Sequence, residues 1–503
     1  MENRAALLFR RIEYGLWYLA PALVLAGAAL RVVVWWQNRS LFYDEANLAL
    51  NFCEKDYAAL FRPLDRGQYA PPLFSLVQKL FTAMFGHTER ALRLFPVLCS
   101  LLSLGLFYRM ARRYIPSPWV LLPTLWVFCF SEILLRYATE SKQYGCDLAV
   151  ALGLIALALR WPARPFRPLW PAVAGAVALW CSMPAVFVLP GIGLYWAYPA
   201  WQQKDWPRLR AVALAAGLWL LSFALYYALL LRPSLAADNL VASHSPWFLP
   251  ALPLHAAQWV QWRDLLLSFP YYTAGYTVLA LALGAAGILT GMYRAAAGRD
   301  GLGWLLVLPL LACLLASVLQ QYSLIPRLLV WAFPLAMLLQ GLGWHWWWQA
   351  APRYLRPALL ALWLAAVALQ TAWQYFARPY TIEEVRPVLD ELRADFRKTD
   401  LLYVDIEARA ALSYYLGCYG QAARYRFAGQ VWYAPWDARP DRETLQQAAP
   451  EANRCWLVYS HVISESTREN MQADLAVIGA FAREIKRVGQ PGAYAYLFVW
   501  EKK

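Results

Sequence analysis

Residues 14–45 read YGLWYLAPALVLAGAALRVVVWWQNRSLFYDE. From Tyr14 to Trp36 the run is apolar and long enough to cross a bilayer, which takes about 20 apolar residues. Two adjacent acids, Asp44 and Glu45, follow where a hydrated loop begins. Carboxylates at a membrane surface are costly unless water, a metal or a cation offsets them. The acids therefore point to chemistry at one face of a membrane.

The rest of the 503 residues repeats the apolar theme almost to Tyr375. The chain is 60% hydrophobic and 16% charged, whereas a soluble domain carries roughly a quarter charged residues. The composition predicts a polytopic α-helical membrane protein. About eleven spans are expected from run length. They fall near residues 14–36, 91–108, 117–135, 146–160, 169–183, 184–199, 211–231, 271–293, 302–320, 326–345 and 357–376. Arg4, Arg10 and Arg11 precede the first span without a small-residue cleavage site, so the N-terminus reads as a retained anchor.

The net charge of +14 comes from 46 basic and 32 acidic residues. The basic residues cluster at span ends, as in Arg109/Arg112/Arg113, Arg160/Arg164/Arg167, Lys204/Arg208/Arg210, Arg294/Arg299 and Arg353/Arg356. One alternation with a cytoplasmic N-terminus places all these clusters inside. It places Asp44, Glu45 and the C-terminal segment outside. Topology thus accounts for the charge, and no nucleic-acid partner is expected.

A first outer loop, 37–90, carries two amphipathic pieces expected to lie as helices along the surface. Residues 1–376 are read as the membrane domain and 377–503 as an extracytoplasmic α/β domain. In that domain Thr381 with Glu384 and Ser466 with Glu469 read as helix caps. DLLYVDI, RCWLVYSHVI and AYAYLFVW read as strands. Cys418 and Cys455 are a candidate disulfide if the domain is exported.

The acidic pair, the PPLF turn at Pro71–Phe74 and ERALRL at 89–94 form an ordered set. The set resembles membrane glycosyltransferases of the GT-C class, nearest to bacterial family-39-like enzymes related to protein mannosyltransferases and aminoarabinose transferases. The resemblance implies a bacterial inner-membrane enzyme that moves a sugar from a polyprenyl-phosphate donor to a lipid, glycan or protein acceptor. It implies catalysis by Asp44, with Glu45 as its neighbour. A carboxylate within hydrogen-bond reach of an acceptor hydroxyl can take its proton as the anomeric bond forms. Direct displacement would invert that centre. The bland reading of Asp44 is a helix N-cap, and of Glu45 a first-turn acid favoured by the helix dipole.

A second cluster, RYATESKQYGCD at 136–147, brings Glu140, Lys142 and Tyr144 to the outer end of the third span. Glu140 would orient the acceptor or bind a divalent metal, the one candidate cofactor; Lys142 would meet a phosphate. The alternative is a salt-bridged span end with snorkelling cations. In QQYSLIPRLL, Tyr322 and Arg327 resemble a donor-binding segment, and an arginine fork suits a lipid phosphate. One departure stands out: Tyr69 and Ala70 occupy the places before the paired prolines where the family often has His or Lys. His244 and His255 match no tight metal-ligand spacing. A lipid or glycan transporter, and a non-catalytic envelope assembly factor, are the rival readings.

Overall fold

The computed structural model describes residues 4–160, 169–237, 244–298, 301–372, 383–419, 425–436 and 438–500. The expectations placed on Arg164, Arg167, Arg299 and Thr381 lie outside the described residues. The helices run α1 (Arg4–Trp36), α2 (Tyr43–Glu54), α3 (Pro72–Phe85), α4 (Glu89–Tyr114), α5 (Pro118–Phe130), α6 (Glu132–Ala138) and α7 (Tyr144–Arg160). They continue as α8 (Leu169–Cys181), α9 (Ala185–Gln202), α10 (Trp206–Tyr226), α11 (Arg232–Ala237), α12 (Ala256–Ala274) and α13 (Val278–Ala297). The last helices before the C-terminal segment are α14 (Leu302–Val318), α15 (Phe333–Ala350) and α16 (Arg356–Ala372).

Among the described residues, four helices are apolar and long enough to cross a membrane: Arg11–Trp36, Glu89–Tyr114, Trp206–Ser234 and Val278–Ala297. The pair α5 and α6, bent by 46°, makes a fifth if counted as one span. Other apolar helices are shorter, such as Leu169–Cys181 and Leu302–Val318. The count of eleven read from run length is therefore not reproduced by helix length. One reason is that the third run is broken at Ser131, between α5 and α6. Another difference lies at 232–270, the stretch between the expected spans 211–231 and 271–293. Here α12 forms, and Gly275 ends it at φ +131°, a conformation glycine reaches without steric cost. The following span starts at Val278 instead of 271.

Leu25, Leu214, Leu220, Val278 and Leu289 are widely exposed on these helices. In water that would be a liability; against lipid it is the expected outer surface.

Residues 37–90 hold the helices α2 and α3. The C-terminal segment holds α17 (Val385–Asp395), α18 (Arg409–Gly417), α19 (Arg442–Ala448) and α20 (Glu465–Gly479). Its strands are β1 (Leu401–Val404), β2 (Gln430–Tyr433), β3 (Arg454–Tyr459), β4 (Arg483–Gln490) and β5 (Ala493–Val499). They form one sheet in the order β2-β1-β3-β5-β4. β1 is parallel to β2 and β3, and β5 is antiparallel to β3 and β4. Strands β2 and β4 escaped the sequence reading: β2 is only partly buried and β4 mostly exposed, so neither shows a clean apolar alternation.

Both cap readings shift. Glu384 precedes α17 with no capping bond, and its carboxylate accepts from Ser40 Oγ at 2.9 Å instead. The cap of α20 is Ser464, whose Oγ accepts from Thr467 N at 3.2 Å.

The two parts of the chain share a core. Leu48, Phe52 and Phe74 of the first loop pack in one cluster with Val388, Leu412, Tyr415 and Trp456. The opposite sheet face, with Tyr403, Cys455, Leu457 and Phe498, builds a separate core. Polar bonds fasten the shared one. Leu41 N donates to Tyr415 Oη at 2.8 Å, and Arg386 pairs with the buried Glu89 at 2.9 Å. The expected Cys418–Cys455 bridge is not formed: Cys455 packs on the far face of the sheet, whereas Cys418 packs on the shared core.

Candidate functional site

The two acids sit in the first turn of α2, where the helix N-terminus favours negative charge. Phe42, not Asp44, takes the N-cap position, so the cap reading of Asp44 fails. Successive helical residues point about 100° apart. The neighbours therefore meet different surroundings.

Glu45 turns inward and is fully buried. Its oxygens accept from Arg93 Nε at 3.0 Å, Arg93 Nη2 at 2.6 Å, Ser141 N at 2.6 Å and Phe42 N at 3.1 Å. Burial alone would raise its pKa, but Arg93 and these donors outweigh that and hold the carboxyl below the ordinary value. Arg93 is the second arginine of ERALRL, and it also donates to the Arg39 and Ser40 carbonyls. The motif and the acidic pair are thus joined by one ion pair. Through Ser141 N, Glu45 also holds the loop that carries Glu140 and Lys142.

Asp44 turns the other way, into a cavity of about 250 Å³. Its Oδ2 accepts from Arg327 Nη1 at 2.8 Å. Burial pushes its carboxyl up, but Lys142, Arg327 and His461 together outweigh burial and hold it below the usual aspartate range. Lys142 is buried too, and desolvation pulls its ammonium below the ordinary value despite Asp44. Its Nζ donates to Gln68 Oε1 at 2.6 Å.

The structure brings six of the eight sequence-derived residues to this cavity: Asp44, Tyr69, Lys142, Tyr144, Tyr322 and Arg327. They come from four separate stretches of chain. Tyr322 Oη donates to the Leu328 carbonyl at 2.7 Å and so steadies the turn that presents Arg327. Tyr69 hydrogen-bonds Tyr226. Tyr144 opens α7 and meets the Tyr137 ring edge-on, with centroids 4.9 Å apart.

Glu45 and Glu140 are not among the cavity-lining residues. Glu140 accepts from Arg136 Nε at 2.8 Å, one helical turn back. Burial pushes its carboxyl up against that pairing.

Several lining residues were missed. Gln68 holds Lys142, but a lone glutamine beside Tyr69 gives no sequence signal. His244 lines the wall, with Nδ1 3.1 Å from Ser323 Oγ. Asp147 lies one turn beyond Tyr144 and also lines the cavity; its place in RYATESKQYGCD was the available clue. Among the described residues no three His, Cys, Asp or Glu side chains are grouped to hold a metal ion, so the divalent cation considered from the sequence has no ligand set to name.

Above the acids, His461 lies against Phe42 and Tyr43, with ring centroids 5.5 and 4.9 Å away. Its Nδ1 pairs with the buried Glu383, which also accepts from Tyr43 N at 3.1 Å. The C-terminal segment thereby grips the start of α2, next to Asp44.

Residues 69–227 match the family described as dolichyl-phosphate-mannose-protein mannosyltransferase. No curated protein matches the chain by sequence. The crystal structure of ArnT from Cupriavidus metallidurans in the apo state is similar with a TM-score of 0.51 and 15% identity, covering 95% of this chain and 98% of that one. ArnT of the same organism bound to undecaprenyl phosphate gives 0.49 and 14%, over 94% and 97%. The chain thus has the polytopic membrane GT-C fold that its acidic pair, PPLF turn and ERALRL segment led one to expect.

Proposed function

We propose that the chain is a membrane glycosyltransferase that moves a sugar from a polyprenyl-phosphate donor to an acceptor at the outer face of the membrane, with inversion. The observation that carries this is one carboxylate, Asp44, held with Arg327 and Lys142 in a cavity also lined by Met183, Pro184, Leu231 and Phe248. Two cations and an apolar wall suit a lipid phosphate. The Asp44 carboxylate beside those cations suits a base.

The reaction then follows from charge. The resting Asp44 is a weak base because Arg327 and Lys142 stabilise its ionised form. A donor phosphate would draw both cations to itself. Asp44 loses that support, its basicity rises, and it takes the proton of an acceptor nucleophile as that atom attacks the anomeric carbon. The lipid phosphate leaves on the opposite side, held by Arg327 and Lys142. Tyr69, Tyr144 and Tyr322 line the space for the sugar. Glu45 and Glu140 act by position: the first fixes α2 and the Ser141 loop, the second fixes Arg136.

A transporter would call for interrupted helices in both of two matched halves. The described residues hold one bent helix pair, α5 with α6, with no counterpart among them. The match to a mannosyltransferase family over residues 69–227 supports the transferase reading.

The test is Asp44→Asn. Transfer from a polyprenyl-phosphate sugar should fall by about two to four orders of magnitude, the usual reach of general-base catalysis, with protein yield unchanged. Mass spectrometry of envelope lipids, glycans and proteins from cells with and without the gene should show one missing sugar. Full transfer by the Asn variant would remove Asp44 from the mechanism.

A further inference from the structure

Two cysteines from distant parts of the chain meet where the Asp44-bearing helix packs on the C-terminal domain. Cys53 lies in the last turn of α2, and Cys418 is the C-cap of α18. Both are half-buried against the shared core, where α2 packs on α18 and the two thiols face each other. A third group completes the cluster: His87 Nδ1 lies 3.4 Å from Cys53 Sγ. Cys99 and Cys146 also meet, but both are buried between α4 and α7. Cys129 and Cys313 are buried among the packed helices, and Cys455 is wholly buried on the far face of the sheet.

The chemistry of the cluster is uneven in a useful way. The neighbouring Cys53 thiol holds the Cys418 thiol below its ordinary value, and burial pulls the His87 imidazole below its own. One sulfur is thus inclined to the thiolate, the reactive form, and the other has a base within reach.

We propose that Cys53 and Cys418 form a disulfide, installed by exchange with an exported thiol–disulfide oxidoreductase, that fastens the helix bearing Asp44 to the C-terminal domain. The Cys418 thiolate attacks one sulfur of the oxidoreductase disulfide, and the other sulfur leaves as a thiolate. Cys53 gives its proton to His87 and attacks Cys418 Sγ. The S–S bond closes and the second oxidoreductase sulfur is expelled. Two electrons pass to the oxidoreductase, which ends as a dithiol, and the two protons lost here balance its two thiolates. The bond closes a loop spanning most of the chain, and cross-links over long loops restrict the unfolded ensemble most. It also requires this face to lie in an oxidising compartment.

The experiment uses the full-length protein, solubilised without reductant and blocked with N-ethylmaleimide. Trypsin should release the segment 40–55, which contains Cys53, linked to the segment 410–424, which contains Cys418. The linked species should vanish on reduction and in Cys53→Ser or Cys418→Ser. Reductant should lower the melting temperature of the wild type and leave that of the double Ser variant unmoved. Recovery of both cysteines as the maleimide adducts from wild-type membranes would overturn the proposal. That result would leave sugar transfer untouched, because the readout is thiol status and not activity.

Discussion

Asp44 and Glu45 are chemically near-identical neighbours with opposite fates: helix geometry points them apart, and packing decides what each one meets. Glu45 is spent on structure. Replacing it by Gln leaves Arg93 charged and buried, and breaking such a pair costs about 3–5 kcal/mol. Glu45→Gln should therefore lower yield and melting temperature, whereas Asp44→Asn should not. Replacing Glu45 and Arg93 together with apolar residues should recover much of the lost stability, and thermal melts of the three variants decide it. Asp44 predicts a pH signature instead. Its pKa lies below the ordinary 3.8 in the free protein because cations favour the ionised form. Any stability it lends is present above that ordinary value and is lost as pH falls through the lower folded one. Donor phosphate should reverse the shift. The acid limb of kcat, which reports the bound complex, should then lie at higher pH than the acid limb of kcat/KM. Coincident limbs would contradict the proposed release of Asp44 from its cations.

Helices in lipid gain nothing from hiding apolar surface, so they associate through close fit of small residues. The pair α13 and α15 shows this. A Cβ at Gly291 would fall 1.8 Å from the Leu339 carbonyl oxygen, and one at Gly343 would fall 2.1 Å from that of Gly287. Neither helix backbone can give way without parting the two. Gly291→Leu should thus reduce monodisperse protein in detergent several-fold, while Gly217→Ala, with no atom near its added carbon, should behave as wild type. Size-exclusion profiles would check both. The broken third span belongs to the same scale. It bends by 46° at Ser131, and α6 ends at Ala138, just before a loop at 139–143. That loop carries Lys142 to the cavity and Ser141 to Glu45.

For the molecule as a whole, the segment around α2 and α3 and the C-terminal segment are one packed unit. His461 and Glu383 sit at their junction. Burial lowers the His461 pKa, but the Glu383 hydrogen bond and charge outweigh it, leaving it above the ordinary 6.5. The protonated form is favoured by folding. Its stabilisation is complete below 6.5 and fades as pH rises through the folded value. His461→Phe should flatten the pH dependence of the melting temperature in that window; an unchanged profile would place the titrating group elsewhere.

Much of this plan was legible in the chain itself. Apolar run length reports the membrane because about 20 residues must span a fixed thickness. The acids, Lys142 and Arg327 stood out because charge beside apolar runs is expensive, and six of the eight candidate residues, three of them tyrosines, line one cavity. Local spacing also announced β1, β3 and β5, whose residues are nearly all buried. What no linear reading reaches is which charges meet. Glu45 finds Arg93 across 48 residues, Asp44 finds Arg327 across 283, and Leu41 finds Tyr415 across 374. Periodicity and composition act over a few turns, so they declare what a side chain is and roughly how deep it lies. Pairing depends on how helices cross and how the sheet docks, and that packing alone made one acid a strut and left its neighbour facing the cavity.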